Sequence, residues 1–411
     1  MTRLLMISIE LPFPPTSGGR MKSWNMLKYL GQRMEVGLAC PLKYGSQELP
    51  EFQRNMPLRH FLFKPVEVGR SGKNLVKSYL QGIPLNVYRS RSERLLRQVA
   101  EVANEYDVIL LDHYESFQYL PPNYRGRVIF HTHNATYLMW ERYASGEGPL
   151  LQRWASALEA RRVKAYERKA CERTDLVFAS PNDIDALVAV GAPREKFRET
   201  YHLGDDGQLD LPSLQFEETE NSLLYIGTLN WEANVDGLLW FFAEVWPLLI
   251  KKNPSLTMYV VGSKPDPRLL QAATPYPTIE FTGFVKDLEP YFQKSRLFLA
   301  PLRFGSGIKV KVLNSMCRGL PIVTTSVGAE GLAARHMEHL SITDNASEMA
   351  ASIELLMQDQ SAWERIESGS RALVREKYTW QRVLGYMESE ISALLNSSHR
   401  LKSEFSAKGE A

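Results

Sequence analysis

The sequence predicts an α/β protein made of two Rossmann-like domains in succession. Three observations predict it. Short apolar runs alternate with helical patterns, as parallel strands and their crossover helices require. That alternation breaks off in a stretch rich in Asp, Glu, Gly and Pro, residues 204–222, and then begins again. The 411 residues also exceed what one hydrophobic core ordinarily organises.

In the first block, strands are expected at 4–9, 36–40, 108–111, 128–130 and 176–179, each a short and mostly apolar run. Helical spacing covers 21–30, 95–104 and the long segment 152–172, whose many Glu, Arg and Lys residues mark it as solvated. The second block repeats the grammar, with strands at 223–226, 257–261, 279–281, 297–300 and 322–324 and helices at 235–251 and 310–318. Residues 348–396 read as helical, anchored by Trp363, Tyr378 and Trp380, and the closing SHRLKSEFSAKGEA reads as a frayed tail. The expected domains are 1–205 and 206–380, with a helix and tail at 381–411 packing back toward the first. Open α/β sheets bind ligands beyond the carboxyl ends of their strands, so the expected site is a cleft across which the two domains face each other.

Composition excludes several classes. A formal charge of +2 gives no global field to gather nucleic acid, so no nucleic-acid partner is expected. Cys40, Cys171 and Cys317 are scattered and form no CxxC pair, which suits reduced, buried thiols in a cytoplasm. The start, MTRLLMISIELPFPP, reads as a strand and a proline turn rather than a signal peptide. The apolar run 238–250 contains Glu244 and reads as too short to cross a bilayer. A cytoplasmic protein is expected, at most peripheral to the inner membrane surface.

Residues 301–330, PLRFGSGIKVKVLNSMCRGLPIVTTSVGAE, carry the clearest chemistry. A strand, a Gly/Ser turn and a lysine-bearing helix make an anion seat, because free N–H groups at a helix start and missing β-carbons let a phosphate approach. Arg303, Lys309 and Lys311 supply cations, the Ser306-Gly307-Ile308 backbone supplies donors, and Asn314 shares a helix face with Lys311. The bland alternative is a tight turn with solvated lysines. After the first strand, PFPPTSGGR places Gly18 and Gly19 at a helix start, followed by Arg20. No GxGxxG occurs there or at 225–228, which argues against a nicotinamide cofactor.

The run VIFHTHN brings His131, His133 and Asn134 to a strand end, and Asp112-His113 adds a polar pair on the same rim. Two histidines at this spacing lie on one side of an extended chain, yet no nearby carboxylate or cysteine completes a ligand set, so no metal is expected. Between 70 and 97, Arg70, Lys73, Lys77, Arg89, Arg91, Arg94 and Arg97 face one acid, Glu93, and interleave with Tyr79, Leu80, Ile83, Leu85 and Tyr88. An anionic membrane surface or a phosphate-bearing acceptor suits such a segment; a solvated helix pair is the alternative.

Together these segments resemble a family-4 glycosyltransferase of the GT-B architecture, over nearly the whole chain. PFPPTSGGR, His133-Asn134, the stretch from Glu159 to Asp183, YIGTLNWEANVDGLLWF, FTGFVKDLEPYF and the 301–330 segment carry the resemblance. It implies a retaining, metal-independent transfer of a sugar from a nucleoside-diphosphate sugar to a glycan or lipid-linked acceptor, without a cofactor, in surface polysaccharide or glycoconjugate synthesis. It implies that His133 and Lys311 are catalytic. Gly18, Gly19, Thr228, Phe284, Val285, Arg303, Ser306, Gly307, Ile308, Asn314 and Glu330 would bind the donor, and Arg20, His113 and Asn134 would lie on the acceptor side. The chain departs from the family in having Ser306 and Asn314 where many relatives have two glutamates, and Thr228 and Asn234 where many have an arginine and a lysine. Two other expectations fit the same fold: a nucleotide-sugar 2-epimerase using Asp112, His113 or Glu115, and a sugar-nucleotide-binding protein without turnover.

Overall fold

The computed structural model describes residues 1–15, 18–42, 48–66, 68, 72–145, 149–201, 203–305 and 307–409. The chain divides into two compact units, Met1–Tyr201 with Leu384–Ala411, and His202–Val383.

Among the described residues the first unit holds seven strands: β1 (Arg3–Ile7), β2 (Glu35–Leu42), β3 (Phe61–Pro65), β4 (Val108–Asp112), β5 (Arg127–His131), β6 (Leu176–Ala179) and β7 (Phe197–Glu199). They form one parallel sheet in the order β3-β2-β1-β4-β5-β6-β7. The second unit holds β8 (Glu220–Ile226), β9 (Thr257–Val261), β10 (Ile279–Gly283), β11 (Ser295–Ala300), β12 (Ile322–Thr324) and β13 (Ser341–Ile342), parallel in the order β10-β9-β8-β11-β12-β13. Helices cover both faces, so the central strands are buried throughout; Leu4, Leu5, Met6 and Ile7 of β1 expose nothing. In each unit the strand order reverses beside the first strand, between β1 and β4 and between β8 and β11, the position at which open α/β sheets bind their ligands.

Three strands escaped the sequence reading: β3, β7 and β13. All lie at sheet edges or are two to three residues long, with one buried residue each, so no apolar run announces them. The expected helix at 235–251 is a continuous helical segment, Glu232–Lys252, of 21 residues, and by length and composition it could cross a membrane. Its length corrects the shorter run expected. Val235, Leu238, Phe241, Phe242, Val245 and Trp246 are all buried, and here it is the core helix of the second unit. Its middle widens to a π-helix at Phe241–Val245, because Pro247 has no N–H to give the preceding turn.

Residues 204–222 are no loose linker. The Arg371 guanidinium donates to the carbonyls of Leu209 at 2.7 Å and Leu211 at 2.9 Å, and Arg318 donates to Pro212 at 2.9 Å. Three successive helices, Ala346–Gln358, Gln360–Lys377 and Trp380–Gly409, replace the single helical stretch expected. The last of them runs through the segment expected to fray. From Leu384 onward it belongs to the first unit, where Glu388 accepts from Tyr29 at 3.0 Å and Glu390 meets Arg198 at 2.6 Å. All three cysteines are buried.

Candidate functional site

In the first unit, sheet register does the positioning. Asp112 ends β4 and pairs in register with His131, which ends β5. Asp112 Oδ1 accepts from His131 Nδ1 and from His133 Nε2, each at 2.8 Å, while Oδ2 accepts from Ser8 at 3.3 Å and Ser23 at 2.5 Å. A carboxylate only accepts, so those two ring nitrogens carry the hydrogens. His133 Nδ1 then faces the start of the helix Gly18–Gly31, 3.8 Å from where a Cβ on Gly19 would sit. The His113 ring stacks on His133 with centroids 3.6 Å apart, held there by a left-handed backbone (φ 71°) that turns the chain into the 3₁₀ turn Tyr114–Tyr119. Asn134 is exposed, next in sequence to this cluster.

Burial pushes both His131 and His133 down to about 4, further than Asp112 pulls them up, so the rings are neutral at physiological pH. Burial alone would raise Asp112, but His133 and the hydrogen bonds from both rings outweigh it and hold the carboxyl well below its ordinary value. Asp112 also corrects the expectation that no carboxylate stands near the histidines. Ligand atoms of Asp112, His113 and His133 lie within 4.8 Å of one another. Arg20, expected on the acceptor side, forms an ion pair with Glu10 at 2.9 Å, which raises its already high pKa.

In the second unit the cluster forms around Lys311, on the helix Val310–Arg318. Its ammonium donates to Tyr225 Oη at 2.8 Å and to Asn234 Oδ1 at 2.7 Å, and Asn234 Nδ2 donates in turn to the Thr228 carbonyl at 2.9 Å. Both partners of Lys311 are neutral. Burial, with Lys309 adding repulsion, therefore lowers its pKa to about 7. Tyr225 and Asn234 are the residues that sequence reading did not assign to the site; the YIGT strand end and the position of Asn234 in the family pattern were the only signals for them.

Other expected donor residues divide between this cluster and separate contacts. Lys309 donates to the Gly307 carbonyl at 2.5 Å and pairs with Glu330 at 3.2 Å, closing a turn in which Gly307 takes φ 72°. Ile308 packs beside Gly331. Arg303, half exposed, lies 3.6 Å from Asp236. Phe284 is 79% exposed directly after β10, with Val285 partly covered beside it. Asn314 has a partner within this unit. Its Oδ1 accepts from the Asp205 N–H at 2.8 Å, and a Cβ on Gly204 would collide with it, so this acceptor is occupied by the chain itself. Ser306 lies outside the described residues.

Residues 220–359 match the family described as glycosyl transferases group 1. A 44.6 kDa protein in the cps region of Klebsiella pneumoniae is 22% identical over 403 residues, covering 95% of this chain and 100% of that one. A Haemophilus influenzae glycosyltransferase is 27% identical over 183 residues, 42% of this chain and 50% of its own length. The Anabaena protein HepE, solved in complex with UDP and glucose, superposes with a TM-score of 0.65 at 15% identity, over 96% of this chain and 100% of its own. The fold is that of the GT-B glycosyltransferases.

The imidazole values set an acid limit on stability. Between pH 6.5 and 4 the unfolded chain takes up protons at His131 and His133 that the folded chain refuses, so stability falls as pH falls. The loss reaches on the order of 3 kcal/mol per ring. Melting temperatures measured from pH 7 to 4 should drop steeply for the wild type and less for the double variant His131→Gln, His133→Gln; equal slopes would show that these rings do not carry the effect.

Proposed function

We propose that this protein is a retaining, metal-independent glycosyltransferase that moves a sugar from a nucleoside-diphosphate sugar to a glycan or lipid-linked acceptor in surface polysaccharide synthesis. The observation that carries this reading is Lys311, a partly covered ammonium at the strand ends of a group 1 glycosyl transferase domain, resting on two neutral groups. Glycosyl transfer leaves charge on the departing diphosphate, and a preorganised cation there is the main electrostatic term. HepE, of the same fold, binds UDP and glucose, and the Klebsiella relative lies in a cps region, which supports the donor class and the polysaccharide role.

Metal independence is supported by the chain's own residues. Both oxygens of Asp112 are taken by His131, His133, Ser8 and Ser23, and the ammonium of Lys22 acts on the same cluster. The same commitments weigh against the 2-epimerase, because a carboxylate held well below its ordinary pKa makes a poor general acid. His133, neutral and oriented by Asp112, is suited to accept a hydrogen bond from a sugar hydroxyl through Nδ1.

Transfer assays with UDP-, GDP- and ADP-sugars and polysaccharide or lipid-diphosphate acceptors, with the product anomer read by NMR, test this function. Transfer with retained configuration and full rate in EDTA is expected, with a loss on the order of 100-fold for Lys311→Ala. A 2-epimer formed without acceptor, or loss of activity in EDTA, overturns the reading.

Binding should also be linked to protons. A diphosphate favours the charged form of Lys311, whose free pKa is about 7, so UDP affinity should fall by up to tenfold per pH unit between 7 and 9. Calorimetry in two buffers of different ionisation enthalpy measures the proton taken up, and Lys311→Met should abolish that uptake.

The same reading places the protein at a lipid surface. The helix Gly72–Leu80 exposes Lys73, Val76, Lys77 and Leu80 along one stripe, cationic and apolar together. Arg91, by contrast, is paired with Glu93 at 2.6 Å, Arg89 is largely covered, and Arg70 lies outside the described residues. Lys73→Glu with Lys77→Glu should reduce sedimentation with phosphatidylglycerol vesicles in low salt; undiminished sedimentation removes this helix from the contact.

A further inference from the structure

Lys22 stands out among the charged groups of the first unit. It is only 3% exposed, and among the described residues its Nζ donates no hydrogen bond and forms no ion pair. Two carboxylates are near enough to act on it, Asp112 and Asp183, and neither is available. Asp112 is filled by its four donors. Asp183 accepts the Ala135 N–H at 2.7 Å through Oδ1, and its Oδ2 is 2.5 Å from Ser180 Oγ. A buried ammonium without a hydrogen-bonding partner is costly, and the surroundings that leave it so are those that an anion would complete.

The helix places Lys22 where such an anion could arrive. It follows Gly18 by four residues, hence on the same stripe, and long helical side chains run back over the preceding turn toward the amino end. At Gly18 a Cβ would meet no described atom within 4 Å, and at Gly19 it would lie 3.8 Å from His133 Nδ1. The charge of Lys22 acts on His133, whose Nδ1 faces Gly19, so the ammonium, the ring and the first-turn N–H groups gather at the start of a 14-residue helix.

We propose that Lys22 is a substrate-binding residue of the first unit, receiving an anionic oxygen beside the Gly18–Gly19 turn and His133. The oxygen belongs either to the donor's diphosphate or to the carboxylate of an acidic sugar. Only the naming of these two sources rests on the glycosyltransferase reading; the anion site stands on the geometry of Lys22.

Full-length wild type and Lys22→Gln are titrated with pyrophosphate, UDP, UDP-glucose and UDP-glucuronate by calorimetry. A loss of tenfold or more for all four ligands assigns the diphosphate to Lys22. A loss for UDP-glucuronate alone assigns the carboxylate. Should Lys22→Gln fail to fold, the wild type labelled with ¹³Cε-lysine reports directly, its Lys22 resonance assigned through Lys22→Arg: that resonance shifts on adding the ligand. Unchanged affinities for all four ligands, or a Lys22 resonance that none of them moves, overturn the proposal. An anion response at Lys22 without any sugar transfer defeats the transfer reading instead, and transfer with a silent Lys22 defeats only this one.

Discussion

The first unit is organised around one buried carboxylate. Parallel pairing of β4 and β5 brings Asp112 level with His131, and the chain then curls so that His133 reaches the same oxygen. A buried charge survives only if its acceptor sites are filled, and here two imidazoles and two hydroxyls fill them. One residue at the end of a strand thereby fixes the tautomer and orientation of two rings, and through His133 the position of a third, His113. The same carboxylate binds Ser23 of the Gly18–Gly31 helix, joining the glycine turn to the histidines.

The second unit uses the opposite arrangement. Its key cation has neutral partners, Tyr225 and Asn234, in place of a carboxylate. An acid there would hold Lys311 in a strong ion pair, whereas a hydroxyl and an amide hold it more weakly. Lys309 has the acidic partner instead, Glu330, and with Gly307 it shapes the turn before the helix.

How much of this was legible in the sequence follows from what each feature needs. Central strands such as β1, β4, β9 and β11 are buried on both faces and read as apolar runs. Edge strands β3, β7 and β13 bury one residue each and leave no such run. Local spacing and family resemblance both single out Lys311, Gly307 and His133. The partners of these residues come from elsewhere in the chain, as Asp112 does for His133 and Tyr225 for Lys311, and periodicity carries no information about pairs so far apart. For the same reason the partner of Asn314 was not legible: its place on the helix is evident from spacing, but Asp205 lies more than a hundred residues earlier.

Asn314 and Lys311 sit one turn apart on the same nine-residue helix, and that neighbourhood has a mechanical side. Asn314 grips the backbone at Asp205, and Trp380, at the far end of this unit's sequence, grips Gly204 at 3.0 Å. Residues from the beginning and the end of this unit's sequence, Gly204–Asp205 and Trp380, are thereby joined to each other and, through Asn314, to the helix that carries Lys311.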